Sequence, residues 1–278
     1  MKVAAAVARA SERLASAGCE SSRVDAEFLV AHVRGTTRSS VLVGGDQPLS
    51  DDAVAELEGL VARRERREPL AYVLGEWGFR RLTLKVDSRV LIPRPETEIV
   101  VERCLALISE LDEPRVLDVG TGSGAIALAI VDEHPGARVT GIDVSTDALD
   151  VARLNALNTG LAVEFVEWDL FDGLPEGPWN LVVSNPPYVR PDEIELLEPE
   201  VRGWEPRAAL VGEGATEAIA RGAQAVQDVG GALVLEVSEG DAGRVSGLLR
   251  ELGYTDVQVT RDLSGRERVV EGVTTYDD

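Results

Sequence analysis

Arg115-Val-Leu-Asp-Val-Gly-Thr-Gly-Ser-Gly124 is the stretch that decides the fold, because a short apolar run passes directly into a turn with three glycines. Glycine permits a tight turn and lets a ligand approach the backbone closely. Apolar residues from Ala125 onward predict that a helix follows the turn. The glycine spacing is G-x-G-x-G, whereas the dinucleotide fingerprint is G-x-G-x-x-G, so the stretch predicts a ligand-binding strand–turn–helix unit and disfavours a dehydrogenase.

Outward from this turn, strands and helices are predicted to alternate. The predicted strands are 115–119, 139–143, 163–166, 180–184 and 232–237, and the predicted helices are 125–133, 146–158 and 216–227. Such alternation is typical of a parallel sheet with helices on both faces. The segments 257–260 and 268–273 are separated by too few residues for a crossover helix. They therefore predict a hairpin that closes the α/β doubly wound sheet with one antiparallel strand.

The first 75 residues carry a helical pattern instead. Ser50 precedes two aspartates and an apolar stripe at spacings of three and four, which is typical of a capped helix. From Trp77 the period changes to two, which predicts a β-hairpin. We therefore expect a small helical domain over 1–75, a linking hairpin over 76–91 and the α/β domain over 92–278. The charged run 63–68 is expected to be a solvated helix face, with a contact patch for an acidic partner as the alternative.

Composition and charge exclude several classes of protein. The chain has 278 residues with 28 Lys and Arg against 49 Asp and Glu, a formal net charge of −21. The excess acid lies after residue 90, which disfavours a nucleic-acid substrate. Apolar runs are too short for a membrane span or a secretory signal, and Cys19 and Cys104 suggest neither a disulfide framework nor a metal site. A cytoplasmic, globular protein is expected.

Two aspartates follow predicted strands at the carboxyl edge of the sheet. Asp143 ends the second strand, where a carboxylate can accept hydrogen bonds from both hydroxyls of a ribose. Asp169 follows the third strand, where it could accept from an adenine amino group. Each has a structural alternative: Asp143 could cap the helix near Ser145, and Asp169 could cap the turn over 171–173.

Asn185-Pro-Pro-Tyr188 is the sharpest signal and directly follows the fourth strand. Such a turn suits methylation of a planar amino nitrogen, which is a poor nucleophile. The Asn185 side-chain oxygen and the Pro186 carbonyl can accept both N–H bonds, orient the nitrogen and stabilise the positive charge that develops on it. Pro187 restricts the turn, and Tyr188 can pack on the planar face of the amide or base.

With the glycine turn, Asp143 and Asn185–Tyr188 in that order, the chain resembles class I S-adenosylmethionine-dependent methyltransferases. More narrowly, four segments resemble the peptide chain release factor glutamine methyltransferases: Pro69-Leu-Ala-Tyr72, Leu91-Ile-Pro-Arg-Pro-Glu-Thr-Glu98, Glu205-Pro206 and Asp262-Leu-Ser-Gly-Arg-Glu-Arg268. The resemblance covers nearly the whole chain. It implies a seven-stranded sheet with a reversed last strand, and methyl transfer to the amide nitrogen (N5) of the glutamine in the Gly-Gly-Gln motif of release factors.

The resemblance also assigns roles to residues. The predicted cofactor-binding residues are Asp118, Gly120, Thr121, Gly122, Ser123, Gly124, Asp143, Asp169, Leu170 and Asn185. The predicted catalytic residues are Asn185, Pro186 and Tyr188, which together with Pro187 are also predicted to bind the substrate glutamine. Leu170 stands where relatives can carry an aromatic, so an apolar contact with adenine is expected there. The helical domain is expected to dock the release factor, with the enzyme acting as a monomer.

Three alternatives remain open on the sequence. The acceptor could be a glutamine of a ribosomal protein, since that reaction would use the same turn. It could be an adenine N6 in nucleic acid, which the acidic charge disfavours but does not exclude. The chain could also be a cofactor-binding module without catalysis, although the intact Asn185 and Tyr188 argue against that.

Overall fold

A computed structural model describes residues 1–275 of the chain. Its helices are α1 (Val3–Ser16), α2 (Ser22–Val33), α3 (Arg38–Val43), α4 (Asp51–Glu65), α5 (Leu70–Leu74), α6 (Thr97–Ile108), α7 (Ala125–Glu133), α8 (Thr146–Thr159), α9 (Pro199–Trp204), α10 (Arg207–Leu210), α11 (Ala215–Val226) and α12 (Ala242–Glu251). The strands are β1 (Glu76–Phe79), β2 (Leu82–Lys85), β3 (Arg115–Val119), β4 (Arg138–Asp143), β5 (Glu164–Glu167), β6 (Trp179–Ser184), β7 (Gln227–Glu236), β8 (Thr255–Arg261) and β9 (Glu267–Val273).

The chain divides into two compact units. One consists of residues 1–76 together with 197–204, and the other of residues 77–196 together with the chain from 205 onward. The last three residues of the predicted 92–278 domain, 276–278, lie outside the described part of the chain. Among residues 1–275, the helices include none with the length and apolar character needed to span a bilayer.

The first unit is a set of helices packed around one apolar core. Leu14, Leu29 and Leu57, from α1, α2 and α4, are among its fully buried side chains. The predicted cap of α4 is confirmed, since the Ser50 side chain accepts a hydrogen bond from the Ala53 N–H at 3.2 Å. Burial of these apolar faces, rather than helix propensity alone, stabilises such short helices.

The charged run 63–68 is only partly solvated: Arg66 is exposed, whereas Arg64 and Glu68 are buried, so the expectation of a solvated face was wrong for these two residues. Arg64 is 5% exposed, and its guanidinium lies 2.8 Å from Asp25 and 2.8 Å from Glu200. Arg67 also pairs with Glu200, at 2.6 Å. The short helix α9, which carries Glu200, belongs to the same compact unit as α2 and α4. The run is therefore part of a partly buried network of ion pairs within the first unit.

The second unit is built on the predicted seven-stranded sheet, with strand order β5-β4-β3-β6-β7-β9-β8. The first five of these strands are parallel, and β9 pairs antiparallel with both β7 and β8, so the reversed last strand is confirmed. Helices α6 and α7 bury one face of the sheet, and α11 and α12 bury the other. The register aligns Val119 with Ile142 and with Ser184. The carboxyl ends of β3, β4 and β6 therefore meet at one edge, where ligands bind in such folds.

Candidate active site

The glycine turn after β3 lines a cavity at this edge. Gly120, Gly122 and Gly124 have φ of 72°, 55° and 79°, the left-handed region that favours glycine. A Cβ on Gly120 would meet no atom within 4 Å, whereas one on Gly124 would meet Phe165 at 3.1 Å. Gly120 and Gly122 lie on the cavity wall and leave room for a ligand to approach the backbone. Gly124 instead permits close packing of α7.

Asp118 lies under this turn and supports it. The carboxylate is 1% exposed and accepts a hydrogen bond from the Thr121 hydroxyl at 2.6 Å. Burial raises the pKa of Asp118 to about 7. The cavity wall passes through Gly120 and Gly122, while Asp118, Thr121, Ser123 and Gly124 lie behind it. The cofactor-binding roles of these four residues stay predictions.

Asp143 bridges the turn and the helix that follows β4. Its Oδ2 accepts from the Gly122 N–H at 2.9 Å, and its Oδ1 accepts from the Ser145 N–H at 2.9 Å. The capping role that competed with ligand binding therefore exists in the structure. It does not use up the carboxylate, because each oxygen has two lone pairs and Asp143 also lies on the cavity wall. Burial raises the pKa of Asp143, since the charged form loses its hydration.

The wall after β5 contains Asp169 and Leu170, as predicted, and two aromatic residues that sequence reasoning missed. Asp169 Oδ1 accepts from the Phe171 N–H at 2.9 Å and caps a short 3-10 turn, Leu170–Asp172. Trp168 and Phe171 line the cavity beside them. Trp168 is held by a hydrogen bond from its Nε1 to the Gly173 carbonyl at 2.8 Å. Flat aromatic faces are thus present on this wall although Leu170 is aliphatic.

The cavity has a volume of about 260 Å³ and lies within the second unit. Two further parts of its lining also escaped sequence reasoning: one is Arg89, Val90 and Leu91, and the other is a segment that includes Pro206, Ala208, Ala209, Val211, Gly212 and Ala215. The Leu91–Glu98 motif could have drawn attention to the first group. The second group is mostly small apolar residues, which carry no signal of a site in a sequence.

Asn185 lines this cavity and directly follows β6. Its Nδ2 donates to the Thr97 Oγ1 at 3.3 Å, and the Thr97 hydroxyl donates to Glu236 Oε2 at 2.6 Å. Thr97 belongs to the Leu91–Glu98 motif, and Glu236 ends β7. Burial raises the pKa of Glu236 to about 7. Neither Thr97 nor Glu236 was among the predicted site residues.

The same motif is anchored by an ion pair. Arg94 Nη2 donates to the two carboxylate oxygens of Glu205 at 2.6 and 2.8 Å. The Glu205 side chain is almost fully buried, and burial raises the pKa of its carboxyl group. The pair ties two segments that sequence reasoning had singled out separately, Leu91–Glu98 and Glu205-Pro206.

A second cavity, of about 800 Å³, adjoins the first and shares Pro187 and Gly212 with it. Tyr188 lines this second cavity and is 37% exposed. Burial of the phenol raises the pKa of Tyr188 above its ordinary value, so the hydroxyl stays protonated at neutral pH. Pro186 is buried and lines neither cavity. Asn185 lines the first cavity and Tyr188 lines the second, so the Asn185–Tyr188 turn reaches both.

The strand order with β9 reversed, together with a cavity lined by the glycine turn, defines a class I methyltransferase, whose cofactor is S-adenosylmethionine. Release factor glutamine methyltransferases of Deinococcus radiodurans and Caulobacter vibrioides are 42% and 38% identical to this chain, with 94% and 95% of the chain and 95% and 93% of the relatives covered. The chain belongs to the release factor glutamine methyltransferase family.

Two family models match separate parts of the sequence. The model described as the PrmC N-terminal domain matches residues 5–75, and the methyltransferase small domain matches residues 101–198. Among solved structures, a T. thermophilus 16S rRNA N2 G1207 methyltransferase in complex with AdoMet and guanosine has a TM-score of 0.53 at 17% identity, covering 72% of this chain and 49% of that one. That likeness supports the fold.

Proposed function

We propose that this enzyme transfers a methyl group from S-adenosylmethionine to the side-chain amide nitrogen (N5) of the glutamine in the Gly-Gly-Gln motif of peptide chain release factors. Membership of the release factor glutamine methyltransferase family supports both this reaction and this substrate. The observation in the site that best supports a planar amide acceptor is Asn185, whose side-chain oxygen is left for the acceptor because its Nδ2 is used by Thr97.

For the cofactor, we propose that the backbone at Gly120 and Gly122 faces the methionine part, that Asp143 holds the ribose, and that the wall over 168–171 contains the adenine. Open space beside Gly120 and the location of the Asp143 carboxylate on the wall fit such a ligand. When bound, the cofactor supplies an electrophilic methyl group. The aromatic faces of Trp168 and Phe171 supply the stacking area that Leu170 lacks.

For the acceptor, Asn185 Oδ1 and the Pro186 carbonyl accept the two N–H bonds of the glutamine amide. These contacts turn the nitrogen lone pair toward the cofactor cavity and stabilise the positive charge as it develops, which lowers the barrier. Tyr188 packs against the planar amide. No strong base is needed, because the nitrogen becomes acidic only once it is methylated; the raised pKa of Tyr188 also makes its phenol unsuited to that role.

We also propose that the helical domain, residues 1–75, docks the release factor. A short loop buries too little area to select one protein, so a separate docking surface is expected. Leu42 and Val43 at the end of α3 support this assignment, because these apolar residues are 56% and 89% exposed. Replacing both with aspartate is expected to raise KM for the release factor while KM for S-adenosylmethionine stays unchanged. Leu157→Asp, at a 79% exposed position in α8, is the control.

The acidic balance of the chain after residue 90 favours a protein substrate over nucleic acid. We therefore propose that the enzyme has no stable nucleic-acid partner. We also propose that it has no membrane partner, acts as a monomer and works in the cytoplasm, where release factors meet ribosomes.

Methyl transfer from labelled S-adenosylmethionine to a purified release factor tests the function directly. A copy of the factor with the Gly-Gly-Gln glutamine changed to alanine is the control. Label on the first protein alone is the expected result, whereas label on neither protein, with cofactor binding intact, would refute it. Asn185→Ala is expected to keep cofactor affinity within a few fold and to lose most turnover; an equal loss of both would contradict its role as an acceptor-binding residue.

A further inference from the structure

We propose that Thr97 and Glu236 are positioning residues that fix which end of the Asn185 amide faces the methyl acceptor. The inference rests on the proposed function, because it concerns how that function's acceptor site is kept in its working orientation. Neither residue lies on the wall of the cofactor cavity.

The three side chains form a chain of hydrogen bonds in which Thr97 and Glu236 are buried and Asn185 is half-buried. Thr97, the first residue of α6, is 4% exposed, and Glu236, the last residue of β7, is 2% exposed. The Thr97 hydroxyl donates to Glu236 Oε2 at 2.6 Å, and Thr97 Oγ1 accepts from Asn185 Nδ2 at 3.3 Å. Positions 97, 185 and 236 are far apart in the sequence and come together only in the folded unit.

The direction of these bonds follows from the number of protons available. An ionised carboxylate can only accept, so the single proton of the Thr97 hydroxyl is committed to Glu236. The Thr97 oxygen then has only lone pairs left to offer Asn185. The Asn185 amide must present its NH₂ group to Thr97, because the flipped amide would set two acceptors against each other.

This orientation is the one that the reaction requires. With Nδ2 turned to Thr97, Oδ1 of Asn185 is left to accept an N–H of the substrate glutamine. A flipped Asn185 would instead present N–H groups to the N–H groups of the acceptor, and no hydrogen bond could form. The oxygen could then neither orient the nitrogen nor stabilise its developing charge.

Ionisation of Glu236 therefore controls the orientation. Charged or titratable groups that act on it come from three surrounding elements: Arg268 on β9, Arg94 and Glu96 before α6, and Tyr188 after β6. The hydrogen bond from Thr97 and the two arginines lower the pKa of Glu236, but burial raises it by more and sets it at about 7. Protonated Glu236 can donate to Thr97, whose hydroxyl can then donate to Asn185 Oδ1, so the flipped amide becomes accessible at low pH.

Three variants test the proposal in steady-state kinetics with saturating release factor. Thr97→Val keeps the shape but lacks the hydroxyl, and we expect kcat to fall at least about tenfold while KM for S-adenosylmethionine changes less than about twofold. Thr97→Ser restores the hydroxyl and should recover kcat to within about threefold of the wild-type enzyme. A Thr97→Val enzyme with wild-type kcat, or a Thr97→Ser enzyme as slow as Thr97→Val, would overturn the inference.

Glu236→Gln supplies a readout that a merely structural role would not move. A single ionisation with a pKa of about 7 makes wild-type kcat rise roughly tenfold between pH 6 and pH 8.5. In Glu236→Gln the same rise should be less than about twofold, because the amide does not titrate. An unchanged pH profile would overturn the inference. Thermal unfolding of each variant establishes that it is folded under the assay conditions.

The Asn185 side-chain amide can also be followed without turnover, by NMR of enzyme labelled with ¹⁵N-asparagine and assigned through Asn185→Ala. We expect its Nδ2 resonance to titrate near pH 7 in the wild-type enzyme and not in Glu236→Gln. Such a titration in an enzyme that fails to methylate release factors would refute the proposed function alone. A resonance that does not titrate, in an enzyme that methylates them, would refute this inference alone.

Discussion

Replacing Asn155 with alanine is expected to loosen the glycine turn from behind. Asn155 lies in α8 and is 1% exposed. Its Oδ1 accepts from the Lys85 N–H at 2.7 Å, and its Nδ2 donates to the carbonyls of Lys85 at 3.0 Å and Ser123 at 3.0 Å. One amide thus holds β2 of the hairpin and the glycine turn against the same helix.

The magnitude follows from these three bonds. A buried hydrogen bond contributes about 1 kcal/mol net, and backbone groups that lose a buried partner add to the cost of removing it. Asn155→Ala should therefore lower the free energy of unfolding by about 3 kcal/mol. Affinity for S-adenosylmethionine should also fall, because the Ser123 carbonyl no longer fixes the turn that carries Gly120 and Gly122.

Urea unfolding followed by circular dichroism measures the first effect, and calorimetric titration with S-adenosylmethionine measures the second. Asn158→Ala is the matched control, since Asn158 lies in the same helix, is exposed and undergoes the same change in helix propensity. We expect this control to stay within about 0.5 kcal/mol of the wild-type enzyme. If the two variants unfolded at the same urea concentration with the same slope, Asn155 would not be a tie between these segments.

Three further changes have defined outcomes. As pH rises from 4.5 to 8, the free energy of unfolding of Glu236→Gln should increase by about 3 kcal/mol relative to that of the wild-type enzyme. Burial raises the pKa of the wild-type Glu236 carboxyl to about 7, so its contribution to stability is complete below pH 4.5 and is lost as pH passes 7. Gly141→Ala should lower the free energy of unfolding by about 1–3 kcal/mol, because its Cβ would lie 2.7 Å from Thr121 Oγ1. It should also weaken cofactor binding, because Thr121 belongs to the glycine turn. Arg64→Met should lower the free energy of unfolding by about 3–5 kcal/mol, since it leaves the buried Asp25 carboxylate without its charged partner, although the Ser21 hydroxyl still donates to it.

Urea titrations at several pH values, with matched controls, check these changes. Gly78→Ala is the control for Gly141→Ala, because a Cβ there would meet no atom within 4 Å. Arg66→Met, at an exposed position in the same run, is the control for Arg64→Met. Parallel stability curves for Glu236→Gln and the wild-type enzyme across this pH range would contradict the raised pKa. A Gly141→Ala or Arg64→Met enzyme as stable as its control would contradict the packing or the ion pair described above.

Much of the fold could be predicted because its elements are strongly patterned. The strand at 115–119 and the helix at 125–133 match β3 and α7 at both ends, since an apolar run meets glycine there. Helix α12 was missed. Gly243 and Gly247 lower its helix propensity, and its apolar side chains are buried against the sheet. The short helices α9 and α10 carry too few residues for a period to show.

The residues of the site likewise fall into two groups, those that the sequence could predict and those that it could not. Residues with distinctive chemistry in a short motif could be predicted to lie together: Gly120, Asp143, Asp169 and Asn185 all reach one cavity. The side chains behind them could not, because a buried hydrogen-bond partner is chosen by the packing of distant elements. Glu236 appears in the sequence as an acid after an apolar strand, and nothing local indicates that it meets a threonine 139 positions away.

The return of residues 197–204 to the first unit has a consequence for protein engineering and for evolution by recombination. Because α9 supplies Glu200 to the arginines of the N-terminal helices, that unit is encoded by two separate stretches of the gene. A chimaera that exchanges only residues 1–76 between relatives combines arginines from one parent with a carboxylate from the other. Exchanging both stretches together keeps the ion pairs matched, so crossovers that survive selection should come in pairs.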